Sequence, residues 1–200
     1  SYLQTMVREQ VVRTVTSSTR PTGLEGAVIY ETDTDLFQFY TGAAWVPFGR
    51  RVLQVVNTQT GAVATGTTTI PLDNTIPQIT EGDQYMTLAI TPVSASSYLR
   101  IEVVWYGATS AAGATNIIVA LFVDSTADAL AAISDVSGGS GYTGGLSLNH
   151  YVASGSTTAR TYRVRAGNAA AGTTTFNGNS GARLLGGVAP SSITITEIAP

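Results

Sequence analysis

The chain has no cysteine, and all ten of its basic residues are arginine, so lysine is missing too. Without cysteine there is no disulfide scaffold, thiol nucleophile or thiolate zinc site. Without lysine there is no Schiff-base amine, P-loop lysine or Lys–Asn isopeptide link. Histidine occurs once, as His150, so a His-rich metal centre is excluded and any Ser-His-Asp relay would have to run through that residue. Charge is scarce: Asp, Glu, Lys and Arg make up 12% of the 200 residues, against about 25% in an ordinary soluble chain. The formal charge is −3 and no basic run occurs, which argues against nucleic-acid binding. The longest unbroken apolar run, Ile117 to Val123, is far too short to insert across a bilayer as a helix. The first residues do not read as a signal peptide, because Arg8, Glu9 and Arg13 interrupt the apolar stretch such a peptide needs.

What replaces charge is threonine, 30 residues of it, with 21 glycines. Together they point to short strands and turns. Residues 1–15 are the exception: Leu3, Met6, Val7 and Val11 fall at helical spacing, which predicts a short amphipathic helix serving as an anchor or oligomer interface. Arg20-Pro21 ends that segment. Ala27–Glu31, Leu36–Tyr40 and Ala43–Phe48, separated by Thr32–Asp35 and Thr41-Gly42, read as a three-stranded meander with Trp45 as its core plug. Gly49-Arg50-Arg51 marks a boundary. The expected organisation is an attachment helix or stalk over 1–20, a β collar over 21–50 and a head over 51–200.

From Val52 onward the pattern is strands and turns: 52–56, 67–72, 84–90, 98–106, 116–123, 146–153, 159–166, 173–176, 182–188 and 192–198. Such spacing predicts an antiparallel β-sandwich or barrel. Residues 116–123 are apolar on both faces, so that strand is expected to be central and covered on both sides. Asp124–Ser134 reads as one internal helical stretch capped by Asp124 or Ser125. Phe176-Asn177-Gly178-Asn179 is a tight-turn signal.

Each chemically suggestive residue has two readings. His150 shares a strand face with Leu146, Leu148 and Val152, so it is either a general base or pH switch, or a hydrogen-bonded histidine at a core edge or interface. Thr32–Asp35 loosely resembles a calcium loop but lacks the glycine and terminal glutamate of one. Glu102 has no evident carboxylate partner of the kind glycoside hydrolysis needs. Arg163 and Arg165 share a face and either grip an anion or pair with acids across the sheet. Trp45 and Trp105 read as core residues. Tyr142, in the glycine-rich loop Ser137–Gly145, is the best exposed aromatic and either ordinary loop decoration or, with Ser140 and Thr143, the candidate receptor-contact loop. No catalytic, cofactor-binding or metal-binding residues are assigned.

Arg20 to Pro47, RPTGLEGAVIYETDTDLFQFYTGAAWVP, resembles a short module of tailed-phage virion proteins: Arg-Pro, Glu-Gly, an apolar triplet, Glu-Thr-Asp-Thr-Asp, aromatic strands, then Gly-x-x-Trp. The preceding SYLQTMVREQVV looks like the helix leading into it. Thr58–Pro92, Ala171–Pro200 and the central IEVVWYGA and ALFVDST are similar to a β-rich domain of tail-fibre and minor tail proteins, related in shape to tumour-necrosis-factor-like trimeric jelly rolls. The resemblance implies a mainly β fold: N-terminal helix, small meander, then a trimeric antiparallel jelly-roll sandwich. It implies a structural protein on the outer surface of the virion, a homotrimeric fibre or spike for host adsorption, touching other virion proteins through its N-terminal region and a host glycan or protein through its head. It implies no enzyme, no cofactor, no nucleic acid and no membrane insertion. The alternative within the same setting is a capsid head-fibre or decoration protein anchored by its N-terminal segment. A capsule-degrading depolymerase and a host-encoded ligand of the tumour necrosis factor class are the more distant rivals.

Overall fold

The computed structural model describes residues 12–49, 51–113, 115–137 and 141–200. The chain divides into two compact units, Ser1–Arg51 and Val52–Pro200.

In the first unit, strands β1 (Arg13–Val15), β2 (Val28–Glu31), β3 (Leu36–Tyr40) and β4 (Trp45–Pro47) form one sheet in that order. The sheet therefore has four strands where the sequence predicts three. The added strand corrects the expected N-terminal helix: Arg13–Val15 is extended and pairs in parallel with Ile29–Glu31. Two of its three residues are β-branched, and pairing buries Val15 against the sheet. Among the described residues the only helix of any kind is a three-residue 3-10 turn, Leu185–Gly187. Leu3, Met6, Val7 and Val11 lie outside the described residues. The fold class is thus β throughout what is described, without the helical element.

An ion pair between an exposed arginine and a buried glutamate braces this small sheet. Glu31 is fully buried, binds the Arg20 guanidinium and accepts a 2.9 Å hydrogen bond from Thr34 Oγ1. Asp33 accepts the Ser17 amide and hydroxyl, tying the β1 exit to the β2–β3 turn. Trp45 is half-buried rather than a plug. Its indole N–H donates to the Pro21 carbonyl at 3.1 Å, while Ile29 occupies the interior.

The second unit contains β5 (Val52–Thr60), β6 (Ala64–Gly66), β7 (Asp83–Ile90), β8 (Tyr98–Thr109), β9 (Thr115–Val123), β10 (Ala131–Ser137), β11 (Thr143–Ala153), β12 (Arg160–Asn168), β13 (Thr174–Phe176), the two-residue pair β14 (Gly178–Asn179) and β15 (Ala182–Arg183), and β16 (Ser191–Ile198). One sheet runs β10-β9-β12-β7. In the other, β16 lies between β5 and β8, while β11 pairs with the far side of β8. Beyond the N-terminal end of β16, β13 continues the pairing with β8 and is flanked by β6. Taking the eight long strands in chain order, the sheets read 1-8-3-6 and 2-7-4-5, the order of two interlocked Greek keys in a jelly roll.

Alternation builds the core. Leu99, Ile101, Val103 and Trp105 of β8 face inward with Ile193 and Ile195 of β16, Leu146 and Leu148 of β11, and Leu121, Tyr162 and Val164 of the opposite sheet. Strand β9 is buried on both faces. Ile117, Val119, Leu121 and Val123 enter the core, while Ile118, Ala120 and Phe122 pack outward under Ile70 and Ile79.

That outer cover explains one departure from the sequence reading. Residues 67–72 are not a strand; the β-branched run crosses the sheet as a loop whose Ile70 is fully buried, with Pro71 unable to donate to a ladder. Residues 182–188 give only the two-residue β15 and the 3-10 turn. The expected helix over Asp124–Ser134 is also absent. Asp124 is a turn residue with φ 53° whose carboxylate accepts the Thr161 amide, and Ala131–Ser137 pairs antiparallel with Thr115–Leu121. The alanine-rich pattern favours a helix locally, but the open edge of β9 offers seven residues a continuous ladder.

Candidate functional site

On one side of the sandwich the two sheets end in β10 and β11, and the gap between these edge strands opens into a cleft of about 170 Å³. Trp105, Ile117 and Leu146 form its apolar lining. Asp135 and Val136 of β10 stand on one lip, and Tyr142, Thr143 and Gly144 on the other.

The strands position each group through register. Asp135 pairs with Ile117, so its side chain projects from the same face of the sheet as Ile117, towards the gap. Trp105 is fully buried, its ring 6.4 Å from that of Phe176. It fits because residue 107 is glycine: a Cβ there would meet the Trp105 ring at 2.5 Å. Gly144 has the opposite surroundings. It lies two residues before inward-facing Leu146, and an added Cβ would meet nothing within 4 Å. Gly144 lines the cleft, and a side chain at this position would stand in space open among the described residues.

Hydrogen-bonding capacity remains at this end of the sandwich. Trp105 Nε1 is buried without a partner, as are both polar atoms of Asn168. Asn168 is the register partner of Ile117. Tyr142 is 64% exposed, and Thr143 begins β11 as an exposed residue. Ser140 lies outside the described residues.

The other residues singled out from sequence have structural surroundings. His150 is half-buried on β11 opposite Ile101, and burial lowers its pKa. Among the described residues, Arg163 and Arg165 form no ion pair with a carboxylate. Arg163 donates to the carbonyls of Asp124 and Thr161, and Arg165 to those of Glu81 at 2.9 Å and Gly82 at 2.7 Å. These guanidinium groups tie β12 to the loops beside it. Glu102 forms an exposed ion pair with Arg100 at 2.7 Å. Asp35, Asp73, Asp83 and Asp128 accept hydrogen bonds from Tyr30, Thr75, Thr68 and Gln78, respectively. Among the described residues, no three His, Asp or Glu side chains gather as a metal site would require.

Sequence reasoning named Tyr142 and Thr143 but missed Asp135, Gly144 and the cleft role of Trp105. The Gly144-Gly145 pair inside a strand pattern was the available signal, since glycine there marks close approach or open space.

No protein-family model matches the chain, and no curated protein matches it. Among solved structures, the enzymatically active domain of tailspike protein 4 of bacteriophage CBA120 is similar over 64% of this chain and 19% of that one, with 16% identity and a TM-score of 0.26. The infectious bursal disease virus VP2 subviral particle is similar over 90% of this chain and 48% of that one, with 10% identity and a TM-score of 0.28. The chain therefore spans less than half the length of either. Likenesses this distant carry no argument about activity or assembly, which rest on the residues themselves.

Proposed function

We propose that the chain is a structural protein of a tailed-phage virion, a homotrimeric fibre or spike whose Val52–Pro200 unit presents a binding surface for adsorption to the host. Support comes from the Arg20–Pro47 motif and from the charge-poor, Thr/Ser/Gly-rich sandwich, a composition suited to a rigid particle component. The observation that carries the binding role is the division of labour among side chains. Asp73, Asp83, Asp124, Arg163 and Arg165 all hold turns and loops, while the exposed Tyr142 stands on the lip of a concave cleft. Such a surface acts by contact and not by turnover. The N-terminal region joins the head to other virion proteins on the particle's outer surface.

The test is the solution mass of the intact chain by light scattering, followed by antibody labelling of particles. A mass of three times 20.7 kDa, with label on projecting appendages, is the expected result. A monomer labelled over the capsid shell replaces the spike with a decoration protein anchored through its N-terminal fifty residues. Absence of label from any particle overturns the virion role.

A further inference from the structure

We infer that the cleft between β10 and β11 binds a single neutral pyranose ring of a host-surface glycan. This rests on the adsorption reading above and names the ligand class that the site is built to take.

Size comes first. Pockets for drug-sized ligands enclose roughly 300–1,000 Å³. At about 170 Å³ this cleft admits one ring and leaves the rest of a glycan chain outside. Gly144 lines the cleft and forgoes the packing a β-branched residue would contribute within a strand, yet has open space among the described residues where its side chain would stand.

Chemistry comes second. A pyranose has an apolar C–H face and a rim of hydroxyls. Tyr142 supplies an exposed aromatic face on one lip, and Trp105, Ile117 and Leu146 an apolar lining. Asp135, on the opposite lip, accepts the Val136 amide at 2.8 Å through Oδ1 and leaves Oδ2 as an acceptor for a hydroxyl.

Charge selects within the class. Among the described residues the lining includes one carboxylate and no arginine, so uronic and sialic acids are disfavoured by repulsion from Asp135. With one stacking surface and one charged acceptor for a ligand of about a dozen heavy atoms, the dissociation constant is expected to be on the order of millimolar.

The experiment is an NMR titration of the isotope-labelled intact chain with D-glucose, D-galactose and N-acetyl-D-glucosamine, each to about 50 mM, well above that constant. At least one neutral sugar is expected to give saturable shifts at Asp135, Thr143, Gly144 and the Trp105 indole N–H. Gly144→Val, which puts a side chain into the open space, and Tyr142→Ala are each expected to weaken binding at least tenfold, and Asp135→Asn several-fold. Unchanged shifts elsewhere in these variants show that the fold is kept. D-glucuronic acid is expected to bind at least tenfold more weakly than the best neutral sugar. No saturable shift with any neutral sugar, or binding unaffected by Gly144→Val, overturns the site. Equal binding of glucuronic acid overturns the ligand class. The virion role is decided separately by mass and particle labelling: a particle-bound chain without sugar shifts loses only this site, whereas sugar binding without particle label loses only the virion reading.

Discussion

Glu197 has no exposed surface, yet its carboxylate is fully engaged. It accepts the Ser97 hydroxyl at 2.5 Å, the Gln54 amide at 2.6 Å, and the backbone N–H groups of Val93 and Ser94. One side chain on β16 thereby holds the β7–β8 loop and the start of β5. Burial raises the Glu197 pKa, but the Ser97, Gln54 and backbone donors outweigh it and hold the carboxyl below its usual value of 4.5. A carboxylate depressed in the folded state contributes stability that is complete above the unfolded pKa and is lost as pH falls through the folded one. Urea midpoints are therefore expected to be flat from neutral pH down to about 5 and to fall below about pH 4.5. Glu197→Gln should lower stability at neutral pH and shrink that acid-dependent drop. Glu197→Ala, which leaves several buried donors without an acceptor, should cost about 3 kcal/mol by urea denaturation.

At the scale of elements, the close packing of Trp105 on β8 makes its neighbour intolerant. Gly107→Ala would drive a methyl group into the Trp105 ring and should destabilise the second unit by about 2 kcal/mol in the same assay. Phe122→Ala, which empties the outer face of β9 beneath Ile70, should cost about 3–5 kcal/mol. Legibility from sequence followed the same physics. Period-two alternation over 146–152 places Leu146 and Leu148 in the core, and the two-faced apolar run of β9 is covered on both sides. Where local preference and tertiary pairing disagree, the pattern misleads. The alanine-rich stretch before Ile133 favours a helix locally, but Ala131–Ser137 completes a ladder at the edge of β9, and Arg13–Val15 is drawn into parallel pairing with β2. The cleft was least legible because its parts come from separate strands. Asp135, Trp105 and Gly144 meet only through the register of β10 on β9 and β11 on β8. Tyr142 was visible alone, as an aromatic in a glycine-rich loop.

For the whole molecule, weak individual contacts gain strength through copy number. If each head holds one ring at millimolar affinity, linking three heads makes the later contacts intramolecular and raises the overall affinity by roughly 10²–10⁴-fold. If the proposed trimer forms, it should be retained on immobilised neutral glycan far longer than a monomeric variant, as read from dissociation rates by surface plasmon resonance.

The chain order of the larger sheet has a consequence for biosynthesis. Strand β16 sits between β5 and β8, and its Glu197 meets Gln54 across a separation of 143 positions. Until the ribosome has delivered that segment, β5 and one side of β8 lack the neighbour that joins them, and their unpaired edges are open to pairing with nascent chains nearby. Folding of this unit must therefore wait until residues 191–198 have been synthesised, with a loop-closure cost that places it among the slower β topologies. Nascent chains stalled before residue 191 should be protease-sensitive and captured by chaperones, whereas chains whose residues 191–198 have left the ribosome become resistant in a single step.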